Sequence, residues 1–298
     1  MSSMDKMKIA IAIATAGRRD VLTETVRFMS RQNRAPDEFL ICPATGEDAD
    51  LPALRQIVPQ LRVVSSAVGS SHQRNAMMDA SNADLVVFFD DDFLPAPDYL
   101  EELEKLFISS PDVAVATGNV LADGATGAGL DFKDGFKVLA SAGPNNFTRE
   151  LASTFNAYGC NMAVRLAAVR EHGLHFDENL PLYAWLEDVD FSRQLAPYGR
   201  IVRGQRLRGV HLGTKKSGRS PGRRLGYSQI ANRVYIMQKG NLPLTGVLEG
   251  CATNVLSNFL KSANPEPWTD RRGRLVGNFL ALWDLLRGKL HPTNILMM

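Results

Sequence analysis

The sequence predicts an α/β fold built on a mainly parallel central sheet flanked by helices, with a C-terminal helical extension. Three observations predict it. Short β-branched or aromatic runs alternate with helical signals through the first half of the chain. Polar clusters follow the ends of those runs, where α/β sheets of this kind bind their ligands. Amphipathic periodicity then dominates beyond Leu242. A chain of 298 residues can bury one large core or two modest ones, and 45% apolar with 22% charged residues is ordinary for a globular protein.

Taken in order, Lys8–Ala14 reads as the first strand. Lys6 and Lys8 ahead of it mimic a secretory leader, but the apolar run is short and meets Arg18, Arg19 and Asp20 at once. Asp20–Gln32 is predicted helical with Asp20 as N-cap. A strand over Glu38–Cys42, a helix over Leu51–Val58, a strand over Leu61–Ser65 and a helix over Gln73–Ala80 follow. Leu85–Phe89 has the β-branched and aromatic content of a buried strand. Pro97 suits the first turn of a helix running to Ile108, with Asp98, Glu101 and Glu102 at its positive end. Val113–Val120 is a further strand. The glycine-rich Asp123–Asn146 reads as a loop or irregular insertion, Phe155–Val164 as a strand and Glu187–Leu195 as a helix. Gly213–Gly226 reads as a flexible loop. Gly246–Leu260 and Leu275–Leu286 are amphipathic helices separated by Asn264-Pro265-Glu266-Pro267, so the expected domains are 1–240 and an extension over 241–298.

Charge is unevenly spread. The net value is +2, yet residues 191–248 hold no Asp or Glu and twelve Lys or Arg, leaving the rest at −10. Such segregation points to an anionic partner or to a solvated basic face. Cys42, Cys160 and Cys251 are odd in number and widely spaced, which favours a reducing compartment and thiols used as small apolar groups. No run approaches the ~20 apolar residues of a spanning helix.

Asp90-Asp91-Asp92 ends the Leu85–Phe89 run. Side chains alternate across a strand, so Asp90 and Asp92 should project to one side and Asp91 to the other. Crowded carboxylates repel unless a cation or hydrogen-bond donors neutralise them, and a hard divalent ion would do so while holding a phosphate. A polar turn is the plain alternative. Other strand ends supply Thr15-Ala16-Gly17-Arg18-Arg19, Gly69–Asn75, Gly159–Ala163 and Trp185–Asp190, with His211 further on. Glu187, Asp188 and Asp190 would equally suit a helix N-terminus, where acids complement the dipole.

In order over roughly residues 8 to 215, Ala14-Thr15-Ala16-Gly17-Arg18, Gln73-Arg74-Asn75, Phe89-Asp90-Asp91-Asp92, Gly159-Cys160-Asn161-Met162-Ala163 and Glu187-Asp188-Val189-Asp190 resemble a family 2 glycosyltransferase with the Rossmann-like GT-A fold. The ordered set is specific where each piece alone is weak. The resemblance implies metal-dependent, inverting transfer of a sugar from a nucleotide-diphosphate donor, a UDP-sugar foremost, to the hydroxyl of a carbohydrate or lipid-linked acceptor. Polysaccharide, glycolipid or other glycoconjugate synthesis is the implied setting. Residues 1–120 would form the nucleotide-sugar half and 121–240 the acceptor half. Thr15, Ala16, Arg18, Asp90 and Asp91 would lie along the donor, and Arg74 would pair with phosphate or with the aspartates. Asp92 and His211 would hold Mn²⁺ or Mg²⁺. Asp188 would be the general base, with Glu187 orienting it or the acceptor. Lys215, Lys216 and Arg219 would close as a lid over the diphosphate. The chain departs from the family where relatives show an acidic pair after the second strand: Glu47 or Asp48 is expected to stand in after a longer loop.

Other classes fit less well. A haloacid-dehalogenase-like phosphatase also uses an Asp-x-Asp, but near the chain start and with Thr or Val two residues after the second Asp; here Phe93-Leu94 follow. A nucleotidyltransferase would use metal aspartates but release pyrophosphate. A non-enzymatic basic module spanning residues 203–224 lacks aromatic interleaving, so no nucleic-acid partner is expected. Trp268, Trp283, Leu282, Leu285 and Leu286 beside Arg271, Arg272, Arg274 and Arg287 either pack on the core, form a homodimer or lie at a membrane interface. The expected location is cytoplasmic, with peripheral contact to the inner membrane face for a lipid-linked acceptor.

Overall fold

The computed structural model describes residues 6–215 and 221–298. Strands are β1 Ile9–Thr15, β2 Glu38–Pro43, β3 Arg62–Val63, β4 Leu85–Asp90, β5 Phe93–Pro95, β6 Val113–Asp123, β7 Leu151–Ser153, β8 Asn161–Arg165 and β9 Arg200–His211. Helices are α1 Arg19–Met29, α2 Leu51–Ile57, α3 Ser70–Ala80, α4 Tyr99–Ser109, α5 Phe132–Ser141, α6 Leu166–His172 and α7 Glu187–Leu195. The helical C-terminal region comprises α8 Gly222–Gln238, α9 Leu244–Lys261 and α10 Arg271–Leu286.

Period-two alternation gives each central strand two buried faces. Ile9, Ile11 and Ile13 of β1 join Leu85, Val87 and Phe89 of β4 in one core layer. Ala10 and Ala12 join Val86 and Phe88 in the other, where the small alanines lie in the same layer as Met77 and Met78 of α3. The strand order is β3-β2-β1-β4-β8-β6-β9-β5, with β7 added on β9. From β3 to β4 the pairing is parallel, as the alternating pattern predicts. The sheet as a whole is mixed, because β8 runs antiparallel between β4 and β6. That reversal matters for the site: Phe89 pairs with Asn161, so the residues before β8 meet those after β4 at one edge.

Several sequence expectations are corrected. Arg18, not Asp20, occupies the N-cap of α1, and Asp20 lies in its first turn. Pro97 precedes α4, whose N-cap is Asp98. The stretch expected as a loop at Asp123–Asn146 contains α5, and the strand expected over Phe155–Val164 is confined to Asn161–Arg165. The expected loop at Gly213–Gly226 already belongs to α8 from Gly222 onward.

Two glycines explain that last difference. A Cβ on Gly226 would stand 2.0 Å from the Arg274 carbonyl oxygen, and one on Gly277 would stand 2.0 Å from that of Arg223. These residues let α8 and α10 cross backbone to backbone, around a small core of Tyr227, Ile230, Ala231, Ala281 and Ile295. Gly277→Ala should therefore force the helices apart and lower unfolding stability by about 2 kcal/mol, the scale of overpacking, as read from urea denaturation.

Candidate functional site

The carboxyl ends of β1, β4, β6 and β9 and the start of β8 meet at one edge of the sheet. β6 and β9 run parallel there, and Asp123 pairs in register with His211. His211 Nδ1 lies 2.9 Å from Asp123 Oδ1, which leaves Nε2 directed to the aspartates after β4. That nitrogen is 3.4 Å from Asp92 Oδ1 and 3.7 Å from Asp90 Oδ2. The Tyr158 hydroxyl donates to Asp123 Oδ2 at 3.0 Å and completes the support.

Asp90, Asp92 and His211 each offer a ligand atom, all within 4.8 Å of one another, a grouping suited to a divalent cation. One orphaned atom adds to the fit. Asp92 Oδ1 is buried and accepts no hydrogen bond, whereas Oδ2 accepts from the Thr214 N–H at 2.7 Å. Burial would raise the Asp92 carboxyl, but His211, Arg18 and the Thr214 amide outweigh it and hold the group well below the usual carboxylate range. Burial disfavours charge on His211, yet Asp123 and Asp92 push it up to about 10.

Asp91 lies in the turn beyond the end of β4 and has a different set of partners from Asp90. It accepts from Thr15 Oγ1 at 2.7 Å and from Arg18 Nη1 at 2.8 Å, and the same Arg18 nitrogen reaches Asp92 Oδ2 at 3.1 Å. Burial raises Asp91 against the pull of Arg18. Thr15 and Arg18 are thus fixed to the aspartate turn by Asp91, with Ala16 between them in the chain.

Across the site, Arg74 of α3 is buried rather than lying on a helix surface. It pairs with Glu187, contacts Asp90 at 3.4 Å and donates to the Gly159 carbonyl at 3.1 Å. Asp188 accepts from the Gly159 N–H at 2.9 Å through Oδ2 and from the Val189 N–H at 2.8 Å through Oδ1. Burial raises Asp188 against those donors, and raises Glu187 to about 8 despite Arg74. The preceding loop is strained: Leu182, Ala184 and Leu186 hold φ of 59°, 51° and 71°, the left-handed region that costs ~1–3 kcal/mol per residue. Leu180, Ala184 and Ile236 of α8 pack together and hold that loop in place. Asp190 points away, fully buried between Lys239 at 2.6 Å and Asn241 at 2.8 Å.

Asp48 is occupied structurally. It accepts from the Gly17 N–H at 2.5 Å and from Thr45, tying the loop after β2 to the loop after β1; Glu47 is exposed beside it. Lys215 donates to the Ala125 carbonyl at 2.8 Å. Lys216 and Arg219, the other expected lid residues, lie outside the described residues. Asp123 and Tyr158 escaped the sequence reading, because Asp123 stands before Gly124 at the start of what reads as a loop.

The fold and this Asp–Asp–His cluster define a glycosyltransferase-like protein of the GT-A type. Residues 7–173 match glycosyltransferase like family 2, and the chain belongs to that family. A glucosyl-dolichyl phosphate glucuronosyltransferase from Haloferax volcanii is 24% identical over 175 residues, 56% of this chain and 55% of that protein. The chain thus spans about half the length of that relative. The mannosyltransferase PcManGT from Pyrobaculum calidifontis, solved with GDP-Man and Mn²⁺, aligns with a TM-score of 0.57 at 16% identity. The alignment covers 94% of this chain and 88% of that one. TarS 1–349 of S. aureus aligns with a TM-score of 0.56 at 14% identity, over 95% and 92% of the two chains.

The support under His211 generates a prediction. Groups that orient a metal-binding histidine typically matter 10–100-fold in affinity. Asp123→Asn should weaken divalent-cation binding at this cluster by about tenfold or more, read with Mn²⁺ as the probe from the free-ion signal in an electron paramagnetic resonance titration.

Proposed function

We propose that this protein is an inverting glycosyltransferase that moves a sugar from a nucleoside-diphosphate donor to an acceptor hydroxyl. The observation that carries the reading is the Arg74 bridge. One buried guanidinium contacts Asp90, of the cation-type cluster, and Glu187, neighbour of Asp188, so both halves of a transfer site share one frame. Thr15, Ala16 and Arg18 border the donor side with Asp90 and Asp91, in residues 1–120; Asp188 serves the acceptor side within 121–240.

In this reading Asp188 takes the acceptor hydroxyl proton while that oxygen bonds to the anomeric carbon from the face opposite the leaving group. The bond from that carbon to the phosphate oxygen breaks, and its electron pair leaves on the nucleoside diphosphate. The raised carboxyl of Asp188 suits a proton acceptor, and its two backbone donors fix its orientation. Glu187, held by Arg74, keeps the start of α7 in place. Asp92, His211 and Asp90 would hold Mn²⁺ or Mg²⁺, which when bound neutralises charge on the leaving diphosphate. Lys215 with Lys216 and Arg219 would cover the donor.

A UDP-sugar is the first donor to test. The similarity to a protein named for a glucosyl-dolichyl phosphate substrate makes a lipid-linked acceptor the first acceptor class, in glycolipid or polysaccharide assembly. Calorimetry of UDP- and GDP-sugars with and without Mn²⁺ tests class and donor together. Asp188→Asn should lower transfer by about 10²–10⁴-fold while nucleotide binding persists. Asp92→Ala should instead weaken Mn²⁺-dependent nucleotide binding. Full transfer by the Asp188 variant would overturn the base assignment, and pyrophosphate release would indicate nucleotidyl transfer.

A further inference from the structure

The packing of α9 and α10 on α8 leaves apolar residues outside. On α9 the outward residues Leu248, Leu256 and Phe259 recur at helical spacing; on α10 Phe279, Trp283 and Leu286 do the same. Leu286 is 81% exposed and Phe259 is 59% exposed, so these side chains are on the surface rather than at the edge of a core. Exposed apolar surface on this scale marks an interaction site.

Charge selects the partner. Arg223, Arg272, Arg287 and Lys289 are exposed along this region. Three of the four acids beyond residue 240 are engaged within the fold: Asp284 accepts from Tyr227 at 2.7 Å, Glu266 pairs with Lys261 and Arg271, and Asp270 caps α10. Glu249 remains exposed. Arg287 lies over the Trp283 ring at 5.5 Å, placing a cation beside an exposed indole. Apolar and aromatic ridges, with cations along and beyond α10, match the boundary between acyl chains and anionic headgroups. A protein interface would gather its apolar residues into a compact centre inside a polar rim; here they run the length of both helices. No helix among the described residues is long and apolar enough to cross a membrane.

We propose that the outer faces of α9 and α10 form a peripheral attachment surface for an anionic lipid bilayer. This surface stands independently of the transfer reading, since nucleotide binding in solution needs no vesicle.

The test is co-sedimentation of the full chain with vesicles of phosphatidylcholine alone and of phosphatidylcholine mixed with phosphatidylglycerol. Binding should favour the anionic vesicles and fall with added salt. The pair Trp283→Ser and Leu286→Ser should reduce partitioning at least tenfold, since each removes more than about one tenfold step of apolar transfer. Arg272→Ser with Arg287→Ser should erase the anionic preference. Nucleotide binding should be unchanged in all variants, and thermal unfolding should show one cooperative transition, lowered slightly where Arg272 loses its bond to the Ser262 carbonyl. Protein that stays in the supernatant with both vesicle types overturns the proposal. So does equal, salt-insensitive binding to both, or a solution dimer by light scattering that the apolar variants dissolve without any vesicle binding.

Discussion

The structure depends on keeping six acidic side chains together at one sheet edge. Asp90, Asp91, Asp92, Asp123, Glu187 and Asp188 converge there from three segments, and Arg18, Arg74 and His211 are set among them. Like charges at such spacing would expel one another or take up protons. Each cation instead touches at least two acids: Arg18 joins Asp91 to Asp92, Arg74 joins Asp90 to Glu187, and His211 joins Asp90 and Asp92 to Asp123. The arrangement is a chain of bridges, so the loop after β1, helix α3, the end of β6 and the start of α7 are positioned through one another. Removing a single buried cation would strip one acid of its basic partner, Asp91 for Arg18, Glu187 for Arg74 and Asp123 for His211, which is far costlier than the modest net worth of an intact pair.

This chain of bridges also explains why a strained loop persists ahead of α7. Three consecutive alternate residues in left-handed geometry are unfavourable, and none is a glycine. The loop is clamped from two sides. Arg74 and Gly159 hold Glu187 and Asp188 from within the site, while α8 holds Leu180, Ala184 and the Trp185 carbonyl from outside. Since α9 and α10 pack on α8, the C-terminal helices bear on the candidate base without touching it.

Much of the parallel half was legible in the sequence, because period-two alternation in Ile9–Ile13 and Leu85–Phe89 is a local signal with one physical meaning. The aspartate turn and the acidic start of α7 were legible as well. What escaped were features whose cause is remote in sequence. Asp123 acquires its partner only through parallel pairing with a strand 88 residues away. Glycine misled twice for one reason. Gly135 sits inside α5 because a Cβ would press on Leu212 and Leu94, and Gly226 sits inside α8 because another helix backbone passes there. In a sequence, a glycine chosen for close approach cannot be told from one chosen for freedom of the chain.

The acid-free stretch from 191 to 248 shows how charge read along a chain differs from charge in space. Its arginines and lysines look like a docking patch until their contacts are traced. Arg200 pairs with Asp112, Arg208 with Asp98, and Lys239 with both Asp177 and Asp190. Arg206 donates to the Phe147 carbonyl, Arg224 to that of Met298, and Arg193 stacks over Phe155. These cations are used to attach α7, β9 and α8 to acids, carbonyls and a ring supplied mostly by earlier segments. The segregation is therefore a device of assembly: an excess of cations in the later segment meets an excess of acids in the earlier one, and the two are brought together by folding. The potential that a ligand or a surface meets is set by whatever charge is left over after that pairing. By that measure the acidic edge with its bridging cations belongs to the site, and the cations beside the exposed ridges of α9 and α10 belong to the outside of the molecule.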